Sequence, residues 1–493
     1  MTHLSSTRTF GLSKSKITMF EQCPKRLWLA THRKELAVYD DGAEARFAAG
    51  NEVGEIACAL YPDGIMVEAE PDLAAALIRT QELLALCPRR PIFEATLEHD
   101  GVLVRIDILE PLAGGWKMIE VKSSGSAKEY HRGDLATQIW VARHCGLKIH
   151  SACIRHVDTK FVLKRVGDYR KLFRDAELFD AVGELVEGRS AQVADAREML
   201  GGAQPETECG DHCSSPFICE FTAYCRSSLP ASPEWPVEVL PHGGGKKWRA
   251  KGIEDLLAID ASQLTNATHQ RVHWATATGE VYHDRKGAAE AMQNWAYPRT
   301  WLDFETIAFA VPRWVGTRPY QQIPFQFSAH AEGREGTIEH REFLHLDGSD
   351  PRRACAEALV RDVPGDGAVI AYNASFERGQ IVALAEAFPD LAPALQSIAD
   401  RLVDLLPVTR AHWYHRDQRG SWSIKAVLPT VSDLDYTTLE VKDGGNAQEA
   451  YLRAICAECS DDEREMLTDG LRAYCERDTW AMVVLARRLE GQI

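Results

Sequence analysis

Asp303 and Glu305 stand two residues apart in the run Trp301-Leu-Asp-Phe-Glu305. In an extended strand that spacing sends both carboxylates from one face. The apolar neighbours Trp301, Leu302 and Phe304 suit a strand buried in a sheet. Two acids aimed together repel and lose hydration, and a hard divalent cation such as Mg2+ or Mn2+ relieves both costs. The plainer reading is an edge strand with two solvated acids. A second set lies upstream: Asp107, then Glu120-Val-Lys122, with Glu94 on the preceding strand as a further ligand. Carboxylates beside a lysine can hold metal, position a water and stabilise charge at a phosphate. A salt-bridged, solvent-facing hairpin is the competing reading. Tyr474 and Asp478, four apart, share a helix face. Cys209, Cys213, Cys219 and Cys225 form a dense thiol group that suits zinc or an iron-sulfur cluster.

These residues need particular elements beneath them. Ser13 or Ser15 caps a first helix, and Pro24 suits the first turn of a second, with Cys23 between them. Helical periodicity covers 44–61 and 72–87. Residues 91–98, 102–109 and 116–124 read as three strands joined by hairpins at His99-Asp-Gly101 and Gly114-Gly115. Past a Pro- and Gly-rich linker, Lys246, Lys247, Arg249 and Lys251 make the clearest basic run, a nucleic-acid contact or a solvated face. From Asp303 onward strands and helices alternate. Ala368-Val-Ile-Ala-Tyr372 is a buried strand that leads into a helix carrying Glu377, and Asp404 follows a later helix. Ser423-Ile-Lys425 either contacts phosphate or caps a helix.

The chain of 493 residues has room for two to four domains, with 45% hydrophobic and 26% charged residues, as expected of a soluble globular protein. No apolar run is long enough to cross a bilayer, and the start lacks the pattern of a secretory signal. Thirteen cysteines without such a signal argue for reduced thiols or metal ligands in the cytoplasm. The formal charge of −16 decides little, because catalytic acids can coexist with a local basic groove.

Asp107, Glu120-Val-Lys122 and the following helix with Gln138 resemble the PD-(D/E)xK nucleases of the RecB type. That resemblance implies that Gln138 completes the site and that Tyr130 and His131, just before the helix, contact substrate. The family places a histidine after a glycine on an early helix. Here Gly50-Asn-Glu-Val-Gly-Glu55 has none, leaving Glu52 or Glu55 as substitutes. RecB-like nucleases of CRISPR adaptation hold a [4Fe-4S] cluster with one early cysteine and three late ones. Cys23, in Cys-Pro-x-Arg, with Cys213, Cys219 and Cys225 resembles that set, and Cys209 is spare or displaces Cys213. Zinc bound by the four local cysteines is the alternative.

The acid pair, Glu377 (with Asp404 as competitor), Tyr474 and Asp478 resemble the DEDD exonucleases with a tyrosine, of the RNase H-like, DnaQ-type fold. The resemblance implies that Asp303, Glu305 and Asp478 bind two metals and that Tyr474 orients the attacking water. It departs at Glu377, where the family has an aspartate. Together the halves resemble a bacterial family that joins a RecB-like nuclease to a DnaQ-like domain. The expected architecture is α/β: a restriction-endonuclease-like core with its cluster over 1–230, a linker and small helical segment over 231–298, and a three-layer DnaQ-like domain over 299–493. The implied function is hydrolysis of DNA, at single strands or ends, with polarity 5′ for the first site and 3′ for the second; RNA stays open. The runner-up is a nucleic-acid-binding scaffold of a defence or repair complex, with one or both sites inactive.

Overall fold

The computed structural model describes residues 11–39, 43–70, 72–227 and 231–492, without the side chains of 43–45. The chain is mixed α/β and divides into two compact units, one within residues 1–230 and 309–320, the other within 231–308 and 321–493. Among the described residues, no helix is long and apolar enough to cross a membrane.

The first unit runs β1 (Leu12–Ser13), α1 (Lys14–Gln22), α2 (Pro24–His32), α3 (Ala43–Ala59), β2 (Ile65–Met66), α4 (Leu73–Leu84), β3 (Ile92–His99), β4 (Val102–Leu112), β5 (Gly115–Lys122), α5 (His131–His144), β6 (Ile149–Val157), β7 (Phe173–Glu177), α6 (Gly183–Gly201) and α7 (Thr222–Ser227). Its sheet has the order β2-β3-β4-β5-β6-β7, with β1 added parallel to β4. The β3–β4–β5 meander is antiparallel, whereas β5 and β6 are parallel and α5 makes the crossover between them. Period-two alternation along β4 buries Val102, Val104 and Ile106 on one side. The core joins that face to Leu135, Ile139 and Val141 of α5. Ser13 caps α1 by accepting from the Lys16 N–H (3.3 Å), and Pro24 opens α2.

The second unit continues with α8 (Lys246–Arg249), α9 (Ala267–Thr278), β8 (Tyr282–His283), α10 (Arg285–Met292), β9 (Arg299–Ile307), β10 (Ile323–Glu332), β11 (Ile338–Leu344), α11 (Arg352–Asp362), β12 (Val369–Ala371), α12 (Ser375–Ala387), α13 (Ala392–Asp400), β13 (Leu402–Asp404), α14 (Leu405–His412), β14 (Trp413–Tyr414), α15 (Ile424–Val431), α16 (Gly444–Ala454) and α17 (Asp461–Glu490). The sheet order is β11-β10-β9-β12-β13, antiparallel through β9–β11 and parallel where β12 meets β9 and β13. Residues 231–298 contribute α8, α9, α10 and β8 to this unit, with Trp248, Val272 and Met292 buried and β8 paired to β14. The helix expected around Leu471–Asp478 is the middle of α17, which has 30 residues. Ser460 caps its start ahead of three acids, and Gly491 ends it in a left-handed conformation (φ 71°), so both termini are set by end chemistry rather than periodicity. In β10 the pairing slips by one residue between Pro324 and Gln326, opposite Thr306 and Glu305. Phe325 is the extra residue, fully buried and stacked on Tyr451.

Candidate functional sites

The acids of the second unit converge. Asp303 and Glu305 leave the same side of β9, and Asp478 meets them from α17; ligand oxygens of all three lie within 4.8 Å of one another. Burial and the neighbouring Asp478 and Glu305 carboxylates push Asp303 well above the ordinary carboxylate range. Burial and Asp478 likewise push Glu305 up to about 8. Tyr436 donates its hydroxyl to Asp478 Oδ1 at 2.5 Å, and Tyr474, one turn from Asp478, is buried beside it. The two tyrosine rings meet edge to face, 6.2 Å between centroids.

Glu377 lies in the first turn of α12, is 3% exposed, and its Oε2 has no hydrogen-bond partner among the described residues. Burial raises it to about 8, and it adds to the repulsion felt by Asp303. Asp404, its competitor, caps α14 and accepts the N–H groups of Asn373 (3.0 Å) and Leu406 (2.9 Å) at Oδ1. Ser423 caps α15. Lys425 belongs to the acidic group: its Nζ sits 4.9 Å from the Tyr474 ring centroid, and its charge partly offsets the repulsion at Asp303, Glu305 and Asp478. Lys246 and Lys247 are exposed on α8, with Lys247 over the Trp248 ring at 4.9 Å, and are not among the side chains that gather at the acids.

In the first unit Glu94, Asp107, Glu120, Lys122 and Asp134 line one cleft with Lys14 and Thr18. Glu94 stands opposite Asp107, between the register pairs Phe93–Ile108 and Ala95–Ile106, with a strained φ of 53°. Its carboxylate is held by Arg105 at 3.1 Å. Glu120 is buried and encircled: Lys14 Nζ at 2.5 Å and Lys122 Nζ at 2.8 Å reach one oxygen, and the Gln138 amide donates to the other. Burial opposes its ionisation, but the two ammonium groups outweigh that and pull Glu120 down to about 2. Asp107 is pushed up to about 7, by burial and then by Glu120, although it accepts the Val121 N–H at 2.6 Å. Lys122 also donates to Asp134 Oδ2 (2.9 Å), whose other oxygen accepts from Thr18 (2.9 Å).

Lys14 and Asp134 went unread as site residues. Lys14 is 106 positions from Glu120 and sits in what reads as a capped helix start, so only the tertiary packing of α1 exposes its role. Tyr436 was missed too, since its loop has no periodic signal. Glu55 lines the cleft; Glu52 instead faces Arg313 and is raised by burial. Tyr130 precedes α5 with its ring edge-on to Phe217 (4.9 Å), whereas His131 is buried.

Cys23, Cys209, Cys213, Cys219 and Cys225 line one enclosed pocket with Lys25, Arg26 and His212. Gln22, at the end of α1, donates to the carbonyls of His212 (2.7 Å) and Phe217 (2.8 Å). Arg26 pairs with the buried Glu220 at 2.7 Å. These bonds tie the cysteine-rich segment to α1 and α2. Among the described residues, groups of three ligand atoms within 4.8 Å occur at Asp303–Glu305–Asp478, His330–His340–Glu476 and Cys153–Asp175–Glu177, and not at these thiols.

Residues 300–423 match the family described as a domain of unknown function (DUF2779). A curated relative, the uncharacterized protein MG366 of Mycoplasma genitalium, is 23% identical over 217 residues, 40% of this chain and 32% of that protein. The chain therefore spans about a third of that relative's length.

Proposed function

We propose that this protein is a metal-dependent nuclease that hydrolyses phosphodiester bonds of DNA at two centres, one in each unit, on single strands or free ends. The observation that carries this reading is the convergence of Asp303, Glu305 and Asp478 within 4.8 Å, in a buried setting that raises all three. In this reading the second unit is a DnaQ-like, RNase H-like domain and the first a RecB-like PD-(D/E)xK core. The meander followed by a parallel crossover, and the order β11-β10-β9-β12-β13, support those assignments. The thiol-rich chain fits a reducing compartment such as the cytoplasm.

The donor set fits Mg2+ or Mn2+. Asp303, Glu305 and Asp478 are the ligands, and the unpartnered Glu377 Oε2 is a buried acceptor that a cation satisfies. When bound, such ions neutralise developing charge at the phosphate and make a bound water more acidic. The chain's own groups do the remaining work. Tyr436 fixes Asp478, Tyr474 orients the attacking water, and Lys425 places positive charge beside the scissile group. In the first unit Asp107 and Glu120 are the ligands, with Glu94 at the rim, and Lys122 and Lys14 supply charge to the phosphate.

Cys23, Cys213, Cys219 and Cys225 would hold a [4Fe-4S] cluster, with Cys209 spare or in place of Cys213, and zinc on the four local cysteines is the alternative. Cys23 lines one pocket with the other cysteines although it lies far from them in sequence, and that arrangement favours an iron-sulfur cluster over zinc. One observation favours the rival reading, a nucleic-acid-binding scaffold with an inactive first centre: Glu120 is already neutralised by two ammonium groups.

The test uses end-labelled single-stranded DNA, the same sequence as RNA, and Mn2+. Asp303→Ala and Lys122→Ala each remove one mode of cleavage, and together they remove all. Undiminished cutting by the double variant overturns the proposal.

A further inference from the structure

We propose a second metal site in the second unit, independent of the nuclease reading, in which His330, His340 and Glu476 take a late first-row cation such as Zn2+. His330 and His340 are register partners on β10 and β11, and their rings stack at 4.5 Å between centroids. Glu476 comes from α17, and ligand atoms of the three residues lie within 4.8 Å of one another. They line a cleft with Arg477 and Trp480. The Arg477 guanidinium is engaged by the Asp435 carbonyl (2.6 Å).

The imidazoles are held from behind. Ser328 Oγ lies 2.9 Å from His340 Nε2 and 2.7 Å from Thr479 Oγ1, and Thr479 Oγ1 lies 2.8 Å from His330 Nδ1. This hydroxyl relay engages one nitrogen of each ring. The remaining nitrogens are Nε2 of His330 and Nδ1 of His340, and the latter is 3.9 Å from Glu476 Oε1. Fixing a histidine ligand through its second nitrogen is the usual outer arrangement of a metal site. Two imidazoles and one carboxylate select zinc, cobalt or nickel over magnesium, and three protein ligands leave a position for water. His330 is buried, while His340 and Glu476 are exposed and can turn inward to close the set.

The comparable group Cys153–Asp175–Glu177 is different, because Lys117 and Arg155 already pair its acids at 2.7–3.0 Å. No cation is paired with His330, His340 or Glu476 at comparable range among the described residues. Metal here would fasten β11 to α17 two residues from Asp478.

The test is metal stoichiometry by equilibrium dialysis of the full chain against micromolar Zn2+, read by mass spectrometry. The wild type is compared with His340→Ala and Glu476→Ala, so the thiols and the acidic site contribute equally to each sample. One equivalent of Zn2+ lost in both variants, with unchanged circular dichroism, supports the site. Ser328→Ala should weaken that equivalent roughly 10- to 100-fold. Equal zinc content in wild type and either variant overturns it. Neither outcome depends on cleavage of DNA.

Discussion

Lys14 and Glu120 form a partly buried ion pair, Nζ to Oε1 at 2.5 Å, between the first turn of α1 and the end of β5. Glu120 is 1% exposed at its side chain, so losing a partner leaves charge that water cannot reach. Lys14→Met should lower unfolding free energy by about 1–3 kcal/mol. Adding Glu120→Gln should recover part of that loss. Urea titrations of the two single variants and the double close the cycle, and simple additivity would show the pair to be uncoupled.

Glu305 gives a pH signature. Its pKa rises from 4.5 to about 8 on folding, so between those values the folded state holds a proton that the unfolded state has released. The contribution to stability therefore falls as pH rises through that window. In EDTA, Glu305→Gln should be more stable than wild type at pH 8, by on the order of 2–4 kcal/mol. The gap should shrink towards zero near pH 5. Mn2+ should narrow it at pH 8 by stabilising wild type alone. Thermal melts at the two pH values decide this, and a gap that widens on acidification contradicts it.

Tyr474→Phe removes one hydroxyl and keeps the ring against Tyr436 and Lys425. Cleavage by the second centre should slow by about 100-fold. The rise in melting temperature with Mn2+ should persist, because the carboxylates are untouched. A variant with full activity would remove Tyr474 from the mechanism.

Anaerobically purified protein should be brown from iron-to-sulfur charge transfer, and Cys23→Ser should bleach it. The same change should expose α1 and α2 to protease, since Gln22 and Arg26 hold them to the segment that carries the other thiols. A colourless protein with one zinc, retained in Cys23→Ser, would assign the four local cysteines to zinc instead.

Local pattern carried a good part of this far. Alternation marked β3, β4 and β5 within three residues of their bounds, and the two-residue spacing of Asp303 and Glu305 placed both on one side of β9. The i, i+4 rule put Tyr474 and Asp478 together on a helix. What stayed hidden depends on packing between distant segments. Lys14 and Asp134 acquire their roles only when α1 and α5 close over β5. Phe325 reads like any strand residue, because a bulge has no composition of its own. Nothing in the sequence separates Asp404, whose Oδ1 takes two backbone N–H groups, from Glu377, whose Oε2 takes none among the described residues.

The nine residues of α1 have a mechanical consequence. One end is moored at the thiols by Gln22 and the other touches Glu120 through Lys14, so the helix acts as a ruler about 13 Å long. Side-chain substitutions along it leave that gauge intact. A single inserted residue does not: it swings Lys14 by about 100° around the axis while the far end stays anchored. Length, more than identity, is what this helix cannot give up.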